Sequence, residues 1–221
     1  MGASALATAL AVRAAAAHRD VALVDAHPWC GGLDVFAGLD HLPGLRWADL
    51  RGVRGDVDPR RLVAELPGED GGPRCLSWGT HPPGESPPGP DPVLSATGAA
   101  VDLVVIDLPR PAAGTDQHLA WWTACHELIL VVGDSVVAVG SAVVLAGHVP
   151  AVSGVVVRGS AGLPDGELGT ALGAPVLVRL GDDRSVASCL ARGRAVGSEL
   201  GPLTDAADEV LARLLPPVRA A

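Results

Sequence analysis

"VDLVVIDLPR" (101–110) decides how the chain is read. Its apolar run lies between two aspartates, ends at Asp107 and is stopped by Pro109, the profile of a strand covered on both faces. "VALVDAH" (21–27) has the same form and ends at Asp25. Outward from these two, "ELILVVG" (127–133), "SGVVVRG" (153–159) and "APVLVRLG" (174–181) are further strand candidates, with "RCLSW" (74–78) a weaker one. Helical patterns are expected at 4–18, 59–66, 115–125, 136–147, 183–193 and 203–215. Strands that alternate with helices and are apolar throughout predict an α/β fold, a mostly parallel sheet with helices on both faces. A Pro/Gly-rich surface loop at 79–92 contains "HPPGESPPGPDP" (81–92) and suits neither element. The alternation resumes unchanged after it, so residues 1–221 read as a single domain.

Composition narrows the function. The net charge of −9 argues against a general nucleic-acid or anionic-membrane binder. Cys30, Cys75, Cys125 and Cys189 lie far apart, which favours a reduced cytoplasmic setting over a zinc site or a disulfide framework. No basic stretch precedes the first apolar run, and no run reaches membrane-spanning length. All 16 basic residues are arginines, so any phosphate site here has no lysine.

In open parallel sheets ligands bind at the carboxyl ends of the strands. Those ends bring Asp25 with His27, Asp107 with Pro109 and Arg110, Gly133 with Asp134, Arg158, and Asp182 with Asp183. The chain also opens Gly2-Ala3-Ser4 directly into an Ala/Leu helix, with Ser4 expected as its cap. A helix amino terminus offers N–H groups to phosphate. A Ser hydroxyl and a strand-end carboxylate suit Mg2+, and a second carboxylate can orient water. Each feature alone has a plainer meaning: a start codon with a small-residue cap, or aspartates that end strands. Two aspartates at matching strand ends favour the site.

On these residues the chain resembles the MinD/ParA group of deviant P-loop ATPases, and within it the actinobacterial CpaE-like, septum-site-determining branch. The phosphate loop K-G-G-x-G-K-[ST] maps its end onto Gly2, Ala3 and Ser4, so the first strand and the front of the loop are expected to be missing. "VALVDAHPWCGGLD" resembles the switch motif, "VDLVVIDLPR" the Walker B-type strand, and "LGAPVLVRLGDDRSVASCLARGRAVG" the late nucleotide segment. The resemblance implies ATP and Mg2+ as cofactors. Ser4 and Asp107 would hold the metal, Asp25 and Asp107 would be catalytic, and Gly2, Ala3, Ser4, Arg158, Gly181 and Asp182 would contact nucleotide. His27, Trp29, Gly31, Gly32 and Phe36 fall in the switch, where Trp29, Phe36 and Leu39 are expected to face partners, the alternative being that Trp29 and Phe36 pack beneath the loop. Three positions depart from the pattern. Ala3 stands where the lysine belongs, His27 replaces the second switch aspartate, and Val157 stands where asparagine reads adenine.

The expected function is therefore a spatial regulator of septum-site selection and cell division whose nucleotide site is degenerate, with weak or no hydrolysis. Its partners would be proteins of the division or secretion machinery, or a second copy. It would be cytoplasmic and recruited to the inner face of the membrane or the septum. The alternative is a working ATPase of a Tad/Flp pilus or type II/IV secretion locus that dimerises on ATP. A Rossmann dehydrogenase domain ranks last, because no G-x-G-x-x-G follows any expected strand. Trp121 and Trp122 are expected to pack a helix on the sheet, and the acidic "DAADEVLARLLPPVRAA" (205–221) to dock on the domain itself.

Overall fold

The computed structural model describes residues 2–28, 32–51, 53, 55–79, 92–110, 117–149, 151–159 and 162–215, with only the backbone of 117–119. All six expected strands form. β1 (Val21–Asp25) lies between β2 (Arg74–Leu76) and β3 (Leu103–Asp107), parallel to both. β5 (Gly154–Arg158) lies between β4 (Ile129–Gly133) and β6 (Val176–Leu180), again parallel to both. Among the described residues no ladder joins β3 to β4, so the strands form two half-sheets of three.

The continuous apolar strands are explained by cover on both faces. Successive side chains point to opposite faces. Val21 and Leu23 of β1 pack with the first helix, α1 (Ala3–Ala16), whereas Val24 packs on the other side among Trp47, Trp78 and Trp121. In β5, Val156 joins one core while Val155 and Val157 join the opposite one. A long carboxyl-terminal helix, α9 (Pro202–Leu214), lies against both α1 and β6, and with α1 bridges the two half-sheets. The Arg13 guanidinium reaches Asp208 at 2.8 Å across this helix pair. Residues 202–214 thus dock on the rest of the chain, as their apolar stripe suggested.

The remaining helices are α2 (Leu33–Ala37), α3 (Pro59–Ala64), α4 (Val93–Ala100), α5 (Gln117–Thr123), α6 (Val136–Ala146), α7 (Asp165–Leu172) and α8 (Arg184–Ala191). Three of these, α2, α4 and α7, escape the sequence reading. They are short, and α4 and α7 carry internal glycines that weaken a helical pattern. The start of α1 also differs from expectation. Gly2, at φ 134°, is the residue before the helix, and Ser4 lies inside its first turn with no capping bond. Most of the loop at 79–92 lies outside the described residues, and no helix among the described residues is long and apolar enough to cross a membrane.

Candidate functional site

The parallel register places Asp25 directly beside Asp107, and the Ala26 N–H donates to the Asp107 carbonyl at 3.0 Å. Both strands end at this edge because β1 and β3 run level from Val21 and Leu103. The amino end of α1 meets them there, and the Ser4 hydroxyl is hydrogen-bonded to the Asp107 carboxyl. Ser4 is free for this bond because Gly2, not Ser4, ends the helix. Gly2 lies on the other side of the same helix start. A Cβ there would come 3.8 Å from the Arg158 side chain at the end of β5. Arg158 in turn pairs with Asp182 at 3.3 Å, just past β6 and next to Gly181. The structure therefore brings Gly2, Ala3, Ser4, Asp25, Asp107, Arg158, Gly181 and Asp182 to one edge.

The two carboxyl groups differ in their surroundings. Asp25 is wholly buried, and both of its oxygens are occupied. Oδ1 accepts from the His27 N–H at 2.9 Å and Oδ2 from the Leu33 N–H at 3.1 Å. One side chain thus ties both ends of the segment between β1 and α2, the local bonding at which aspartate excels. Burial pushes the Asp25 pKa up to about 7; the two N–H bonds oppose this, and the charges of Asp107 and Asp34 add to it. Burial also raises Asp107, against the Ser4 hydrogen bond and the nearby His27. His27 has a buried Nδ1 without a hydrogen-bond partner among the described residues.

Part of the expected switch takes another role. Leu39 is buried, so it does not face partners. Phe36 is half-buried between the two cores flanking α1, which is the packing alternative. The reason is that α2 lies along α1 and turns these side chains inward; Val35 is the exposed apolar residue of that helix. Gly32 is buried at φ 87°, where any Cβ would fall 2.5 Å from Asp34 Oδ1. Trp29 and Gly31 lie outside the described residues.

The sequence reading missed what holds this edge from beneath. Asp34 is buried and pairs with Arg46 at 3.1 Å. The same guanidinium donates to the carbonyls of Leu39, Leu42 and Gly44, closing the segment after α2. Beside it, Trp47 Nε1 donates to the Asp25 carbonyl at 2.8 Å, and its ring packs on Trp78 and edge-on to Trp121. The signal was "GLRWADL" (44–50), where an arginine stands directly beside a tryptophan.

The donors at the edge suit a magnesium nucleotide. Ser4 and Asp107 could supply two hard oxygens of the kind Mg2+ takes. The first N–H groups of α1 have no intrahelical acceptor and carry the positive end of the helix dipole. The edge has no lysine, since the chain contains none.

No protein-family model matches the chain. Two uncharacterized proteins of Mycobacterium tuberculosis, from strains CDC 1551 and H37Rv, are each 36% identical to it over 218 residues. The match covers 95% of this chain and 59% of each relative, so the chain spans about three-fifths of the length of the curated proteins it matches. Among solved structures, a ParA family ATPase from Chlorobium tepidum superposes with a TM-score of 0.74 at 17% identity, over 96% of this chain and 94% of that one. The MinD cell division protein of Aquifex aeolicus gives 0.71 at 16% identity, over 96% and 91%. The septum site-determining protein MinD of Pyrococcus horikoshii, solved with Mg-ADP, gives 0.61 at 14% identity, over 96% and 90%. The chain has the fold of the MinD/ParA P-loop ATPases.

Proposed function

We propose that the chain is a spatial regulator of the MinD/ParA type, acting in septum-site selection through binding. The observation that carries this reading is the juxtaposition of Ser4, Asp107 and Asp25 at the start of α1 without a lysine. Ser4 and Asp107 provide the metal oxygens, and the α1 terminus with Arg158 provides the phosphate contacts. Mg2+ held there would neutralise phosphate charge.

Hydrolysis is the part the site is poorly built for. Phosphoryl transfer depends on stabilising charge that spreads over the transferred group. Ala3 contributes none of that stabilisation. Asp25, the carboxylate placed to orient water, spends both oxygens on backbone N–H groups and holds the adjoining segment in place. It serves as a positioning residue for that segment. A site of this kind retains nucleotide contacts while its output is the conformation of residues 26–39 and what they bind, be it a division protein or a second copy.

The test is genetic. The gene is deleted in its host and complemented with the wild-type chain or with Asp107→Asn, and septum position and pilus assembly are scored. Misplaced septa that only the wild type corrects support the reading. Lost pili with normal septa select the secretion role instead, and an unchanged phenotype refutes both.

A further inference from the structure

At the edge where Asp25 and Asp107 meet, the His27 ring carries a nitrogen that no described residue engages. The backbone around it is fixed twice. The His27 N–H donates to Asp25 Oδ1 at 2.9 Å, and the Ala26 N–H donates to the Asp107 carbonyl at 3.0 Å. His27 is thereby held beside the ends of β1 and β3. Its ring is half-buried as a whole, yet Nδ1 is shut off from solvent and meets no hydrogen-bond partner among the described residues. A stranded polar atom in a folded chain is costly and calls for an ion or a ligand group that satisfies it.

The position of the ring decides which of these it is. His27 is close enough to the Asp107 carboxyl for its charge to act there, and that carboxyl is hydrogen-bonded to the Ser4 hydroxyl. Arg158 approaches the start of α1 from the other side, by Gly2. Phosphate is drawn to Arg158 and to the N–H groups of the helix start. His27 stands instead with the two oxygens that suit a cation. With the proton on Nε2, Nδ1 offers a lone pair, and a neutral imidazole is a common metal ligand. Mg2+ takes oxygen donors, whereas divalent transition ions also accept imidazole nitrogen beside carboxylate and phosphate oxygens. Among the described residues no three His, Cys, Asp or Glu side chains cluster to hold an ion unaided, so further oxygens would come from the nucleotide.

We propose that His27 Nδ1 is a third protein donor beside Ser4 and Asp107, and that it makes this edge select a divalent transition ion such as Mn2+ over Mg2+. The inference rests on the reading of the edge as a metal–nucleotide site and adds to it which metal the site prefers.

The experiment uses the full chain labelled with 15N-histidine and loaded with Mn2+ and unlabelled ADP at pH 8. Pulsed electron paramagnetic resonance of the bound Mn2+ reads its coupling to 15N, and titration with Mg2+ reads the selectivity. The wild type is expected to show 15N coupling. Displacing its Mn2+ is expected to need at least about tenfold more Mg2+ than in His27→Asn. Asparagine keeps the backbone bonds but has no ring nitrogen, so the coupling is expected to vanish in that variant, with its fold checked by circular dichroism. Bound Mn2+ without 15N coupling, coupling that persists in the variant, or equal displacement by Mg2+ overturns this inference and leaves the metal–nucleotide reading intact. A wild-type chain that retains neither Mn2+ nor Mg2+ with ADP overturns both. The wild-type spectrum decides nitrogen ligation by itself, so the test stands even where the variant fails to fold.

Discussion

Replacing Asp25 by asparagine is expected to remove a pH dependence of folding that runs opposite to ordinary acid denaturation. Folding raises the Asp25 pKa from 3.8 to about 7, chiefly through burial. The folded state therefore holds a proton that the unfolded chain has released over this interval. Stability from this group is fully present below about pH 4 and is lost as pH rises through about 7. Between an unfolded value of 3.8 and a folded value of about 7, the total is near 4 kcal/mol, and about 3 kcal/mol of it falls between pH 4.5 and 7.5. Asparagine does not titrate. Its single carbonyl keeps one of the two N–H bonds from His27 and Leu33, so the substitution also carries a fixed cost of about 1–3 kcal/mol for the group left unpaired. The diagnostic is thus the slope, not the offset. Urea unfolding in nucleotide- and magnesium-free buffer at pH 4.5, 5.5, 6.5 and 7.5 gives the difference between variant and wild type. That difference is expected to move by about 3 kcal/mol in favour of the variant as pH rises. Asp107, also raised, is present in both proteins and largely cancels. Parallel curves would mean that Asp25 is ionised in the folded chain and that the reasoning from burial is mistaken.

Arg46→Met strands the buried Asp34 carboxylate and is expected to cost about 3–5 kcal/mol in urea unfolding, whereas adding Asp34→Leu recovers most of the loss. Trp47→Phe keeps a ring in the tryptophan cluster but leaves the Asp25 carbonyl without its donor; a loss of about 1–3 kcal/mol is expected, against about 3–5 for Trp47→Ala. Gly197→Ala forces a side chain at φ 96° to within 2.6 Å of the Ala9 backbone. It is expected to lower the melting temperature by several degrees, more than Gly55→Ala, which has a positive φ but open space around it.

The sequence makes the strands easy to read and the site's framework hard. Runs such as "LVVID" and "VALVD" signal burial on both faces without any knowledge of partners, because each residue reports its own environment. The meeting of Asp25 with Asp107 followed from two strands that end alike, a pattern that survives the 81 intervening residues between them in the chain. The roles of Ser4 and Leu39 were not legible in the same way. Whether a serine caps a helix or turns to a carboxylate depends on which glycine takes the capping position, here Gly2. Whether Leu39 faces solvent depends on how α2 lies on α1. The Asp34–Arg46 pair was hidden for a third reason, since an ion pair 12 residues apart across a turn leaves no periodic trace.

The reading of this protein as a binder whose site lacks the charge for phosphoryl transfer is tested most directly by ATP turnover. Purified wild-type chain and Asp25→Ala are assayed side by side with Mg-ATP for phosphate release. With no lysine anywhere in the chain, turnover by the wild type is expected to be no higher than that of the variant. Turnover by the wild-type chain that disappears in Asp25→Ala would contradict this reading and make the protein a working ATPase.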